Sequence, residues 1–303
     1  MTTSKAPVAV FLYKRPAHAR ELLTSLAASP LARETDLFLF CDAAKAPADE
    51  ESVQEVRAVA RATAGFRSLT LVERTENWGL SRSVTGAVSD LCTRFGKVIA
   101  VEDDLVLAPS FLGFMNDSLG RYENEPRVMQ VTGFQFPLRA TPPDRNVFLP
   151  IISCWGWGTW ARAWSAYDSS TQGASQLLAD PARRHAFNLE GAYDYVALLH
   201  QQREGQVDSW GVRWYLNVFE RDGLVLYPPR SLVSNEGFDG SGTHLESRTD
   251  DFAKVRGKWP DPSGFGDPER FAVSASALEE VRGILRAARS PGLITRIRRK
   301  LAL

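Results

Sequence analysis

The chain has little cysteine, no net charge and no long apolar run. Of 303 residues only three are cysteine, Cys41, Cys92 and Cys154, far apart in sequence and unable to pair completely. That excludes a disulfide framework and suits a reducing compartment, so the expected location is the cytoplasm. Lys and Arg number 36 against 36 Asp and Glu. The basic excess with which a polyanion binder displaces counterions is missing, and nucleic acid is not an expected partner. No window approaches the roughly 18–20 uninterrupted apolar residues that cross a bilayer. The first apolar run, residues 8–13, soon meets Lys14 and Arg15, which fits a strand rather than a signal peptide. What the chain does have is tryptophan. There are eight, and five of them fall in two clusters, Trp155, Trp157, Trp160 and Trp210, Trp214.

In the first half, short apolar runs at 8–13, 36–41, 69–73 and 98–101 alternate with helical spacing at 18–28, 50–64 and 81–95. This pattern predicts an α/β fold with a parallel sheet covered on both faces. Such sheets bind ligands at the carboxyl ends of their strands, above all where strand order reverses. The segments of interest are therefore Lys14-Arg15-Pro16, Asp42, residues 74–82 and Glu102-Asp103-Asp104. After about residue 125 the pattern changes. Strands are expected at 128–136, 147–152 and 224–227, helices at 181–203 and 210–221, and between them lies the Gly-rich aromatic run SCWGWGTWARAW. No repeat or polar linker marks a boundary, which predicts a single domain over residues 1–274 followed by a helical, increasingly basic tail, 275–303.

The sharpest local feature is VIAVEDDLVLAPSF, in which an apolar strand runs straight into three carboxylates. Adjacent carboxylates at the end of a buried strand repel one another and resist desolvation, so positive charge is expected there. A hard divalent cation, Mg²⁺ or Mn²⁺, fits, because it can take one or two carboxylates and complete its shell with phosphate oxygens. The alternative is a solvated acidic turn.

In order, FLYKRP, an Asp after the second strand, ENWGLSRS, VEDDLVLAPSF, CWGWGTWARAW, DSWGVRW and NEGFDGSGTH resemble bacterial glycosyltransferases of GT-A fold. These are in turn similar to the animal N-acetylglucosaminyltransferase I group. The likeness spans roughly residues 7–245. It implies a Rossmann-like, mostly parallel nucleotide-binding sheet, with a nucleotide-sugar half over about 1–125 and an elaborated acceptor half over about 126–274. It also implies a nucleotide-sugar donor, a UDP-sugar by expectation, a glycan or lipid-linked acceptor and transfer with inversion. By position, Asp104 matches the direct metal ligand, Asp103 faces donor ribose or sugar hydroxyls, and Glu102 supports the substrate. Asp42 matches the acid that receives a uracil imide N–H, or else serves as a turn or cap residue. Arg15 and Arg82 could reach nucleotide phosphates or base, or lie on the surface. Asn77-Trp78-Gly79 suggests a turn before a helix capped by Ser81.

Inversion needs a base on the acceptor hydroxyl. Asp208, beside Trp210 and Trp214, is the candidate, with an apolar neighbourhood expected to raise its pKa; its other reading is a helix N-cap. Some relatives carry an Asp directly after this tryptophan, where this chain has Gly211. In the Gly-rich loop 235–244, His244 is a candidate second metal ligand and Asp239 a weaker substrate contact. Trp155 and Trp157, interleaved with Gly156, are expected to wall a sugar site, while Trp160 and Trp164 are expected in the core. Residues 291–303, LITRIRRKLAL with its flanks, have the pattern of a basic amphipathic helix, either a peripheral contact with the inner membrane face or a docked terminal helix. Two other readings compete with transfer of a sugar. One is a sugar nucleotidyltransferase, although FLYKRPAHAR lacks the glycine-rich loop usual there. The other is a non-catalytic carbohydrate-binding protein on the same scaffold.

Overall fold

A computed structural model describes residues 5–139, 144–237 and 259–287. β1 (Val8–Leu12), α1 (Pro16–Ala27), β2 (Asp36–Cys41), α2 (Glu50–Arg61), β3 (Ser68–Glu73), α3 (Gly79–Phe95) and β4 (Lys97–Glu102) alternate as the apolar periodicity predicts. Pro16 opens α1 where its missing N–H costs nothing, and Ala19, Leu22, Leu23 and Leu26 turn one stripe of the helix into the core. α3 stops at Gly96, whose left-handed φ of 77° closes its last turn. All of β1 is buried, because it pairs in parallel with β2 on one side and β4 on the other. The chain steps outward from β1 to β2 to β3 and then returns across β1 to β4, so strand order reverses between β1 and β4.

The remaining elements are β5 (Leu105–Leu107), α4 (Phe111–Arg121), β6 (Val128–Thr132), β7 (Val147–Leu149), β8 (Trp157–Trp160), α5 (Ala161–Trp164), α6 (Ala174–Ala179), α7 (Pro181–Phe187), α8 (Tyr195–Arg203), α9 (Trp210–Phe219), β9 (Leu224–Tyr227), β10 (Val233–Asn235) and α10 (Ala275–Ala287). Among the described residues one eight-stranded sheet runs β3-β2-β1-β4-β8-β6-β9-β7, and β5 forms a separate antiparallel pair with β10. This is the α/β arrangement that the resemblance implies, a Rossmann-like parallel part extended by a mixed second half. No helix among the described residues is long and apolar enough to cross a membrane.

Three details differ from expectation. The strand at 128–136 ends at Thr132, and that at 147–152 ends at Leu149. The helix expected over 181–203 is two helices, broken where Leu189, Glu190 and Gly191 take positive φ values of 51°, 54° and 74°. The aromatic run supplies β8, which inserts antiparallel between β4 and β6. Its Gly158 has no room for a side chain, since a Cβ there would lie 3.0 Å from the Val98 carbonyl oxygen.

The expectation for Trp157 is corrected here. Its side chain is 1% exposed and stacks on Trp210 at 4.9 Å, so it has no face to offer a sugar. Trp164 packs on Trp214 at 4.9 Å and on Tyr167 at 4.5 Å. The buried indoles keep their N–H groups satisfied at Trp160, by the Leu119 carbonyl, at Trp164, by Ser89, and at Trp214, by Gln130. Trp157→Ala should therefore destabilise the protein by about 3–5 kcal/mol in denaturant unfolding. A loss below about 1 kcal/mol would return Trp157 to the surface of a binding site.

Candidate active site

Parallel pairing sends the carboxyl ends of β1, β2, β3 and β4 to one edge of the sheet. Arg15 follows β1, Asp42 follows β2, Arg74 follows β3, and Glu102 closes β4 ahead of Asp103 and Asp104. Arg15 and the acidic run thus face each other across the point of strand reversal.

There the guanidinium of Arg15 supplies the positive charge that the carboxylates require. It pairs through Nη2 with Asp103 Oδ1, and the same nitrogen lies 3.5 Å from Asp104 Oδ2. Asp103 and Asp104 are 6% and 3% exposed, so the cluster is largely cut off from water. Burial works against the charge on Arg15, but Asp103, Asp104 and Glu102 outweigh it and hold the guanidinium charged beyond its ordinary range. Burial likewise raises the carboxyl of Asp103, and Asp104 adds to this while Arg15 opposes it. Three carboxylates thus gather about one guanidinium, and the donors are hard oxygens. That set fits Mg²⁺ or Mn²⁺ bound by one or two carboxylates with the remaining positions left to phosphate oxygens. Among the described residues no group of three His, Cys, Asp or Glu side chains is arranged to hold a metal by itself. Glu236 N–H donates to the Asp104 carbonyl at 2.8 Å, so β10 and the residue after it lie beside the acidic run. Asp239, His244 and residues 291–303 themselves lie outside the described residues.

Asp42 is 7% exposed and committed to backbone. Its Oδ1 accepts from Ala43 N–H at 3.0 Å and Trp78 N–H at 2.8 Å, and its Oδ2 accepts from Gly79 N–H at 2.9 Å. The turn-and-cap reading of Asp42 is thus realised across 36 residues of sequence. Ser81 is not the cap, because α3 starts two residues earlier, at Gly79. Beside this turn the guanidiniums of Arg74 and Arg82 lie 3.6 Å and 3.9 Å from the centroid of the Trp78 ring, so both stack on one indole. Trp78 itself is 37% exposed. Arg74 is the residue that sequence reasoning passed over. It is buried, and its Nε and Nη1 have no hydrogen-bond partner. Burial lowers its pKa, Asp42 opposes that, and Arg82 adds to it. The signal for it was its place directly after an apolar strand, the same signal that singled out Asp42.

Asp208 is in different surroundings from those expected. Its side chain is 69% exposed and pairs with Arg213 at 2.5 Å, so the apolar neighbourhood is not there. Nor is it the N-cap of α9; Ser209 is, accepting from Val212 N–H. Arg213 donates to Ser81 near the start of α3 and to the Ser209 carbonyl, which ties Asp208 to the side of Arg82 and Trp78. Tyr167 lies against the same group, its phenol pushed up to about 12 by burial, with Arg213 lowering it and Asp208 raising it. Trp155 is half-buried, edge-on to Phe134 at 4.5 Å. The last pair of the β4–β8 ladder is Ala100 with Trp157, so Trp155 lies toward the acidic end of β4.

No protein-family model and no curated protein matches the chain. Among solved structures, S. aureus TarS is similar at 16% identity over 46% of this chain and 24% of its own, with a TM-score of 0.32. The apo form of mouse xyloside xylosyltransferase 1 is similar at 13% identity over 62% of this chain and 77% of its own, with a TM-score of 0.37. The apo bifunctional glycosyltransferase WbbM is similar at 13% identity over 43% of this chain and 23% of its own, with a TM-score of 0.27. The matched part of the chain thus spans about a quarter of TarS and of WbbM.

Asp42→Ala would leave two backbone N–H groups at the start of α3, Trp78 and Gly79, and that of Ala43 after β2 without this acceptor. It should lower stability by about 1–2 kcal/mol in denaturant unfolding, and an unchanged midpoint would deny Asp42 its capping role.

Proposed function

We propose that the protein is a metal-dependent glycosyltransferase that moves a sugar from a nucleotide-diphosphate sugar, a UDP-sugar, to a hydroxyl of a glycan or lipid-linked saccharide, with inversion. One observation carries the reading: the buried Arg15–Asp103–Asp104 cluster at the strand reversal, where a parallel sheet binds nucleotides. Asp104 is the carboxylate that holds Mg²⁺ or Mn²⁺, with His244 as a second ligand. Asp103 faces the donor's ribose or sugar hydroxyls, and Glu102 supports that contact. When bound, the metal supplies Lewis acidity to the diphosphate leaving group. Arg74, with two buried nitrogens unpartnered, and Arg82 offer donors at the nucleotide end, and Asp42 holds the turn that places them.

On the acceptor side, Asp208 takes the proton of the attacking hydroxyl. Its exposure lets an acceptor reach it, and Arg213 fixes its direction. Trp155 supplies an indole face near the acidic end of β4, and Asp239 contributes from the loop.

Calorimetric titration should show UDP binding that requires Mn²⁺. Asp104→Ala should remove that binding and lower transfer by about a hundredfold or more. Asp208→Asn should keep donor binding and lose transfer by about 10²–10⁴-fold; full activity in that variant would place the base elsewhere. The released product should be nucleoside diphosphate, and pyrophosphate in its place would make the enzyme a nucleotidyltransferase. Sugar binding that needs neither metal nor nucleotide would make it a carbohydrate-binding protein.

A further inference from the structure

Arg15 occupies the place in which a cation would be useful. Its Nη2 bridges Asp103 Oδ1 and, at 3.5 Å, Asp104 Oδ2, and its side chain is 18% exposed. A divalent ion on Asp104 and a guanidinium beside the same carboxylate are like charges competing for one set of oxygens, and burial strengthens that repulsion. Without an ion, Arg15 is the guanidinium on which the pair leans, since it bonds Asp103 and lies 3.5 Å from Asp104, and its removal would take a close counter-charge from two buried carboxylates.

We propose that Arg15 is an exchangeable counter-cation: it holds Asp103 and Asp104 while the site is empty of donor, gives them up to the divalent ion, and turns to the donor diphosphate. This inference rests on the metal-dependent reading above. It adds that loading is an exchange of ion pairs. The guanidinium leaves one pair of anions for another, so its charge is never left unpaired in a buried place. Metal and nucleotide then favour each other's binding, because the diphosphate draws off the competitor of the metal, and the coupling is reciprocal. Pro16, at the start of α1, keeps the backbone next to Arg15 fixed, so the exchange falls to the side chain alone.

The test is Mn²⁺ affinity, read by the loss of the free-ion paramagnetic resonance signal, with and without UDP. Arg15→Gln should bind Mn²⁺ about tenfold more tightly than the wild type in the absence of nucleotide, and UDP should enhance its Mn²⁺ affinity less than it does in the wild type. Its unfolding temperature without metal should fall below the wild-type value and recover when Mn²⁺ is added. Arg15→Lys, which keeps the charge without the fork, should bind Mn²⁺ with intermediate affinity and serves if the glutamine variant does not fold. Equal or weaker Mn²⁺ binding by both variants, with the wild type binding normally, overturns the exchange and leaves the metal-dependent reading standing. No Mn²⁺ binding by any of the three proteins, with UDP present, overturns both.

Discussion

Three consecutive carboxylates at the end of an apolar strand cannot be taken out of water without positive charge, and the placement of that charge governs the site. β4 has to be apolar to lie beside β1, yet it ends in Glu102, Asp103 and Asp104. Arg15, which leaves the adjacent strand at the same edge, is the side chain that topology makes available. It reaches both Asp103 and Asp104, so one guanidinium serves two buried carboxylates. The reversal of strand order between β1 and β4 opens the crevice in which this happens, so the electrostatic demand and the topology meet at one point.

The second half of the chain is built around that point. β5 begins immediately after Asp104 and pairs with β10, which carries the chain back beside the acidic run. Gly133 and Gly156 let this region close, since a Cβ on either would come within 3.0 Å of Phe111. Glu236, directly after β10, bonds the Asp104 carbonyl, so the chain leaves β10 beside the acidic run.

The parallel half of the fold was legible because each strand was a short apolar run and each helix had its own stripe. β2 coincides with the run at 36–41, and α2 and α3 share their cores with the expected helices. The acidic run and its need for positive charge were legible for the same reason, since charge next to an apolar strand is a local signal. What supplies the charge was not. Arg15 and Asp103 are 88 residues apart, and the place of Arg15 after an apolar strand pointed to a nucleotide contact and not to a carboxylate partner. Asp42 is a similar case. Its carboxylate caps a helix that begins 37 residues later, a contact set by the parallel register of β1, β2 and β3 and not by any neighbouring pattern. β8 was missed because its glycines break strand propensity, although close packing against β4 is what calls for them.

The tryptophans illustrate how one local pattern suits two different surroundings. Indole between glycines suits a sugar face, and it equally suits an interior where two elements approach closely. Trp157 lies in a strand with the sheet on both sides and α9 above it, so its ring meets Trp210 and never reaches water. Trp155 precedes the ladder and keeps part of its ring outside. The stack of Trp157 on Trp210 has its own consequence for the site. Trp210 is the first residue of α9, and Asp208 and Arg213 hang on that helix start. A rigid aromatic core beneath α9 therefore fixes where its N-terminus meets α3, and with it the place of the exposed Asp208 relative to the start of α3. The tryptophan excess thus acts mainly through packing that holds the Asp208–Arg213 pair in place, and within the 155–164 run Trp155 alone keeps part of its ring outside.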